Sequence, residues 1–186
     1  MKRLFDLIFS VILLVLFAVP MLLIIILIRT TSKGETLYWS DRIGKNNIIF
    51  KMPKFRSMLK NTPEVATHLL GNPDLHLSPV GGFMRNLSLD ELPQLLSVLK
   101  GDMSLVGPRP ALFNQINLIE LRQEKGVDKL LPGITGWAQV NGRDNLSILE
   151  KVLLDEEYMY QQSFWFDIKI LWKTFLKVVM HEGVSH

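Results

Sequence analysis

The sequence contains no cysteine and only four histidines, His68, His76, His181 and His186. The first absence removes disulfides and thiolate metal sites, and with them any argument for an oxidising compartment. The histidines show no metal-ligand spacing, which argues against a zinc enzyme or a Ser-His-Asp hydrolase. There is no P-loop, no G-x-G-x-x-G fingerprint and no nucleophile elbow. Internal repeats and low-complexity segments are missing too. The net charge is only +3, from 21 Lys and Arg against 18 Asp and Glu. That mild excess suits anionic lipid or phosphorylated substrates as well as nucleic acid. At 186 residues the chain suits one domain with a sizeable core.

What is present is unevenly distributed. Apolar residues make up 48% of the chain, and many lie in one block, "LIFSVILLVLFAVPMLLIIILI" from Leu7 to Ile28, which carries no charge. As one straight helix it would be about 33 Å long, enough to cross a bilayer. It is too long for a signal peptide, and no small-x-small cleavage site follows. Pro20 removes a backbone hydrogen bond near the middle, which kinks or breaks a helix. Lys2 and Arg3 precede the block, and Arg29 and Lys33 follow it, whereas a spanning helix keeps its positive residues on one side. Two arrangements therefore stand open: a kinked span, and a re-entrant hairpin that bends at Pro20 and returns to the same face. The hairpin leaves carbonyls near the bend in need of partners, with Ser10 as one candidate.

Beyond the block, Glu35 to Met58 has two apolar runs flanking Gly44-Lys45-Asn46-Asn47, the pattern of a β-hairpin. Residues 60–80 are rich in Pro, Gly and Ser and read as loop with one short helix. Helices are expected over Ser88–Lys100, ended by Gly101, and over residues 113–125, ended by Gly126. Two more are expected over 146–162 and 163–181. "LLPGITGWAQVNGRD" reads as Gly-rich loop. In the last helix Lys169, Lys173 and Lys177 recur every four residues and form a basic stripe, with Trp165 and Trp172 nearby. This pattern fits a helix lying in a membrane interface, and equally an ordinary core-packing helix with a solvated Lys face.

The chemistry concentrates in "RNLSLDELPQLLSVLKGDMSLVGPRP", Arg85 to Pro110. Ser88-Leu89-Asp90-Glu91 matches a capping box, which would explain both carboxylates without any function. Pro93 fits that poorly, because it would deprive the Leu89 carbonyl of its partner. A helix starting slightly later would place Pro93 in its first turn. Capping also does not explain the company: Arg85 before, then Lys100, Asp102, "GPRP", "PGITG" and "NGR". Glycines let backbone approach an anion, and arginines grip phosphate oxygens bidentately. An Asp among those arginines is expected to stay ionised, and can hold Mg²⁺ or attack phosphorus.

The order of these blocks resembles the bacterial sugar transferase family, the small monotopic phosphoglycosyl transferases. The resemblance runs from the apolar segment with Pro20, through "KMPKFRSM", "SLDELPQLLSVLKGDMSLVGPRP" and "PGITGWAQVNGRD", to the last helix. It implies transfer of a sugar phosphate from a nucleoside diphosphate sugar, with uridine as the expected base, to polyprenyl phosphate. It implies an Asp90-Glu91 dyad, a covalent phosphosugar on Asp90, and Mg²⁺ with Asp90 as a ligand. Lys54 and Arg56 match its basic "KFRSM" block, and Arg109 and Arg143 match "GPRP" and "NGR". Arg85 joins them as a candidate phosphate ligand. Asp155 matches a later Asp, although "DEEYMYQQS" departs from the more usual D-x-Y-Y after it. The implied architecture is mostly helical α+β: a re-entrant membrane helix over 1–33 broken at Pro20, and a cytoplasmic catalytic domain over 34–186. A small hairpin and interfacial helices would surround a site at the membrane surface. The implied setting is the bacterial inner membrane, with phospholipid and downstream glycosyltransferases as partners and no nucleic acid. Set against this are a membrane-anchored phosphatase using Asp90 and a non-catalytic lipid-binding adaptor.

Overall fold

The computed structural model describes residues 2–63, 72–142 and 145–180. The apolar block forms two helices, α1 (Lys2–Leu16) and α2 (Ala18–Thr31), bent by 59° at Phe17. No single helix among the described residues is long and apolar enough to cross a membrane, but the bent pair together is. The break falls three residues before Pro20, which sits inside the first turn of α2. The reason is local: Pro20 cannot bond the Leu16 carbonyl, and its ring crowds that carbonyl, so the axis turns there. Ser10 is buried well before the bend and does not serve it.

Both ends of the pair are fastened to the same globular body. At the start of α1, Lys2 Nζ donates to Asp167 Oδ2 at 2.6 Å and to the Val106 carbonyl at 3.1 Å. Arg3 donates to the carbonyls of Val98 and Leu99. Asp6, fully buried, accepts from Ser104 Oγ at 2.9 Å and from the Leu105 amide at 3.2 Å. At the far end, Ile24 and Ile28 of α2 pack with Phe55 and Met84. Arg56 closes that junction by donating to both oxygens of Ser32, at 2.7 and 3.2 Å. Between the two attachments Val15, Leu16, Val19, Leu22 and Leu23 are exposed.

The expected hairpin is present: β1 (Leu37–Ile43) pairs antiparallel with β2 (Ile49–Phe55), register Leu37↔Phe55 to Ile43↔Ile49. Asn46 and Asn47 take left-handed backbone in its turn, which their short polar side chains tolerate. Next come α3 (Gly81–Asn86), α4 (Gln94–Lys100) and β3 (Ser104–Val106). They are followed by α5 (Ile116–Glu124), β4 (Gly133–Thr135) and α6 (Trp137–Val140), then α7 (Ile148–Gln161) and α8 (Phe164–Met180). The expected helices at 113–125, 146–162 and 163–181 correspond to α5, α7 and α8. Of the region expected as loop with one helix, the described part holds a 3-10 turn at Pro73–His76.

Two expectations need correction. The "PGITGWAQV" stretch is not loop but contains β4, parallel to β3, and α6. Glycine makes that pairing possible: a Cβ on Gly133 would stand 2.1 Å from the Gly107 amide nitrogen. Ser88–Lys100 is not one helix either. Ser88 takes φ 54°, its side chain caps nothing, a 3-10 turn spans Leu89–Glu91, and α4 begins after Pro93. The same S-x-x-E pattern does make a reciprocal capping box at Ser147 and Glu150, where no proline follows in the first turns. The central core gathers Met52, Val98, Met103, Val106, Tyr158 and Ile170 from both strand pairs and the helices α4, α7 and α8.

Asp6→Ala would leave a buried amide and a buried hydroxyl without their acceptor, each costing about 1–3 kcal/mol. Asp6→Asn keeps one acceptor oxygen and should cost less. Thermal denaturation of the detergent-solubilised protein should rank them wild type, Asn, Ala. Equal Tm for Ala and wild type would mean that this contact does not hold α1.

Candidate active site

The left-handed turn at Ser88 and the 3-10 turn after it separate the two acids. Asp90 is turned inward and is 8% exposed. Glu91, its side chain also largely buried, accepts at Oε1 from Lys54 Nζ at 2.9 Å and from Arg109 at 3.0 Å. Lys54 comes from the β-hairpin, and Arg109 from the loop after β3. Glu91 therefore gathers three separate pieces of chain around Asp90. Arg85, in the last turn of α3, adds a third positive charge facing Asp90, with Lys54 and Arg109.

The electrostatics differ from the sequence expectation. Burial pushes the Asp90 pKa above the usual carboxylate range, and the Glu91 charge adds to it. Lys54, Arg85 and Arg109 oppose this but do not outweigh it. Burial, with Arg109 beside it, likewise pulls Lys54 down, Glu91 opposing. The pocket thus holds its nucleophile candidate closer to neutrality than an exposed Asp.

The remaining sequence candidates fall in different places. Arg56 ties α2 to the hairpin, as described above. Asp155 is buried in α7, where its Oδ2 accepts two hydrogen bonds from Arg122, at 2.6 and 3.0 Å. Arg122 also donates to the Arg109 carbonyl at 2.8 Å. Asp155 therefore reaches the site only through Arg122, which fixes the backbone that carries the Arg109 guanidinium. Arg122 has no sequence signal pointing to it, since its partner is 33 residues away. Lys100 lies 5.9 Å from the Trp39 ring centroid. Arg143 lies outside the described residues.

The donor set bears on Mg²⁺. Among the described residues no group of three acidic or histidine side chains could hold a metal. Asp90 stands beside a Glu91 already engaged by two cations. That arrangement fits a Mg²⁺ bound by one carboxylate and otherwise by substrate phosphates, the habit of this ion. A cavity of about 230 Å³ opens beside Glu91 and Arg109 and runs to Phe17 at the helix break.

Two outcomes follow from this geometry. A carboxyl whose pKa is higher folded than unfolded binds its proton more tightly when folded, so its ionisation weighs against the fold. That cost is complete above the raised folded pKa and absent below the unfolded value of about 4. Asp90→Asn is expected to raise Tm at neutral pH, with the gain vanishing as the pH falls to about 4. A lower Tm for Asn at neutral pH would show that the cations outweigh burial. Burial pushes the Asp155 pKa up as well, Arg122 opposing, but Asp155→Asn also strands the nearly buried Arg122 guanidinium, so it should destabilise by about 3–5 kcal/mol. An unchanged denaturation midpoint would show that Arg122 does not depend on this acid.

Comparison with known proteins fits this site. Residues 1–181 match the family described as bacterial sugar transferase. The chain is 41% identical over 186 residues to a Bacillus subtilis protein named uncharacterized sugar transferase EpsL, across all of this chain and 90% of that one. It is 37% identical over 201 residues to the undecaprenyl-phosphate galactose phosphotransferase of Salmonella typhimurium, covering 98% of this chain and 41% of the relative. It is 38% identical over 185 residues to the UDP-glucose:undecaprenyl-phosphate glucose-1-phosphate transferase of Escherichia coli, covering 95% of this chain and 40% of the relative. The chain thus spans less than half the length of the latter two. With its acid pair, cationic surround and bent apolar helices matched over nearly its whole length, the chain belongs to the bacterial sugar transferase family.

Proposed function

We propose that the protein is a phosphoglycosyl transferase that moves a sugar 1-phosphate from a uridine diphosphate sugar to polyprenyl phosphate. The observation that carries this reading is the buried Asp90, faced by Lys54, Arg85 and Arg109, beside an apolar cavity that reaches the helix break. An Asp90 carboxylate oxygen attacks the phosphorus that bears the sugar, and the bond to the nucleoside monophosphate breaks. The lipid phosphate then attacks the same phosphorus, and the acyl phosphate bond breaks to restore Asp90. Both steps bring anions together, which the three cations offset. Glu91 holds Lys54 and Arg109 in place for this. Mg²⁺, when bound, would neutralise charge on the donor diphosphate. The names of the Salmonella and Escherichia relatives, which carry undecaprenyl phosphate and UDP-glucose, support the choice of acceptor and donor class.

The same reading takes residues 1–33 as a re-entrant anchor in the bacterial inner membrane, with the site on the cytoplasmic side. Support comes from the two ends of the bent pair being fastened to one body, with the apolar residues exposed between them. The reaction would then be a first membrane step in making a surface glycan or glycoconjugate.

Incubation with UDP-sugars alone should leave a phosphosugar on wild-type protein, seen by intact-protein mass spectrometry, and none on Asp90→Asn. Adding polyprenyl phosphate should discharge it and release uridine monophosphate. Turnover with lipid but no adduct would count against the covalent route, and steady hydrolysis without lipid would favour a phosphatase. For topology, a cysteine ahead of Met1 and another at the exposed Lys33 should both be shielded from an impermeant thiol reagent in intact cells. Labelling of the first from outside would sink the re-entrant anchor.

A further inference from the structure

The three lysines of α8 do not act as one stripe. Lys173 Nζ stands 4.6 Å from the centroid of the Trp137 ring, and Lys169 Nζ 5.3 Å from it. Both are engaged by that aromatic face. Lys177, one turn further on, lines the cavity instead, with Val178 beside it. Among the described residues no ion pair engages Lys177. A cation lining a mostly apolar cavity that Arg109 also lines is complementary to an anion carried on an apolar body.

The cavity supplies the apolar part. Its walls include Leu95 of α4, Ile134 of β4 and Leu171 of α8. Its volume of about 230 Å³ would take roughly eight water-sized groups, comparable to one or two five-carbon isoprene units. Glu91 and Arg109 line it, and so do Leu13 and Phe17 beside the helix break. Beyond Phe17, Leu16 and Val19 are 64% and 66% exposed, so a hydrocarbon leaving there continues along apolar surface. One path therefore runs from ionic site to helix break.

We propose that this cavity is the acceptor site: it seats the first isoprene units of polyprenyl phosphate, and Lys177 with Arg109 grips the phosphate. The inference rests on the function proposed above and deepens it, because it separates an acceptor contact from the groups that face Asp90. Lys177 belongs to the second half-reaction alone. Lys177→Gln removes the charge, Lys177→Arg restores it, and Val178→Trp narrows the cavity at its wall.

The test uses the full-length protein in detergent and reads two quantities. One is binding of polyprenyl phosphate by native mass spectrometry. The other is formation of the Asp90 adduct from UDP-sugar alone. Loss of a charge-assisted hydrogen bond should weaken lipid binding about tenfold in Lys177→Gln. The KM for lipid should rise in parallel. Lys177→Arg should recover most of the affinity, and Val178→Trp should bind poorly. Adduct formation should stay near the wild-type rate in all three, which also shows that each is folded. Wild-type lipid affinity in both Lys177→Gln and Val178→Trp would overturn the proposal. So would adduct formation slowed as much as lipid binding is weakened. If wild type forms no adduct, the covalent route fails, while lipid binding still decides the acceptor site.

Discussion

A carboxylate taken out of water must be given partners, and this fold uses that requirement to join its pieces. Asp6 of α1 is held by β3, and Asp167 of α8 by Lys2 and Tyr158. Asp155 is held by Arg122, and Glu91 by the hairpin and the loop after β3. Each contact joins separate pieces of the chain, although Tyr158 and Asp167 are only nine residues apart. The two strand pairs are small and several helices run only four to nine residues, so secondary structure alone does little to fix their mutual placement. The partnered acids supply much of that specification. Asp90 is the exception within the set. Its cations stand around it while two of them bond to its neighbour, and it is the acid that the proposed chemistry uses.

The parts of the fold that were legible in the sequence are those set by local periodicity. The hairpin was readable because Gly44 to Asn47 carry the residues that such a turn requires, and α5, α7 and α8 because their patterns are long. Pro20 correctly announced an interruption, but the axis turns where the proline's missing bond and ring act, one turn earlier, at Phe17. The capping box at Ser88 was misleading because Pro93 makes a continuous helix costly there. The chain resolves this with a left-handed serine and a 3-10 turn. The pairing of β3 with β4 left no periodic trace, because three-residue strands are too short to show one.

The site was legible as a set of residue types, and its geometry was not. Asp90, Glu91, Lys54, Arg85 and Arg109 converge as the sequence suggested. Their division of labour depends on long-range contacts: which acid is bonded, which is merely surrounded, and how deeply each is buried. Arg122 and Asp155 show the limit most clearly. Arg122 was not distinguishable from any helix-terminal arginine until its guanidinium was seen bridging Asp155 and the Arg109 carbonyl.

The double attachment of the bent helix pair has a mechanical meaning. A domain hung on one helix is a tethered body: it can swing and spin about its tether, and a site on it sweeps a wide range of orientations. A domain joined at both ends of a bent rod is clamped, and the clamp removes the rotation that a single joint leaves free. Any tilt of the body must then tilt the elbow at Phe17 by the same amount. For the proposed transfer, whose acceptor would be confined to a plane, the search for alignment would be settled during folding rather than at each turnover.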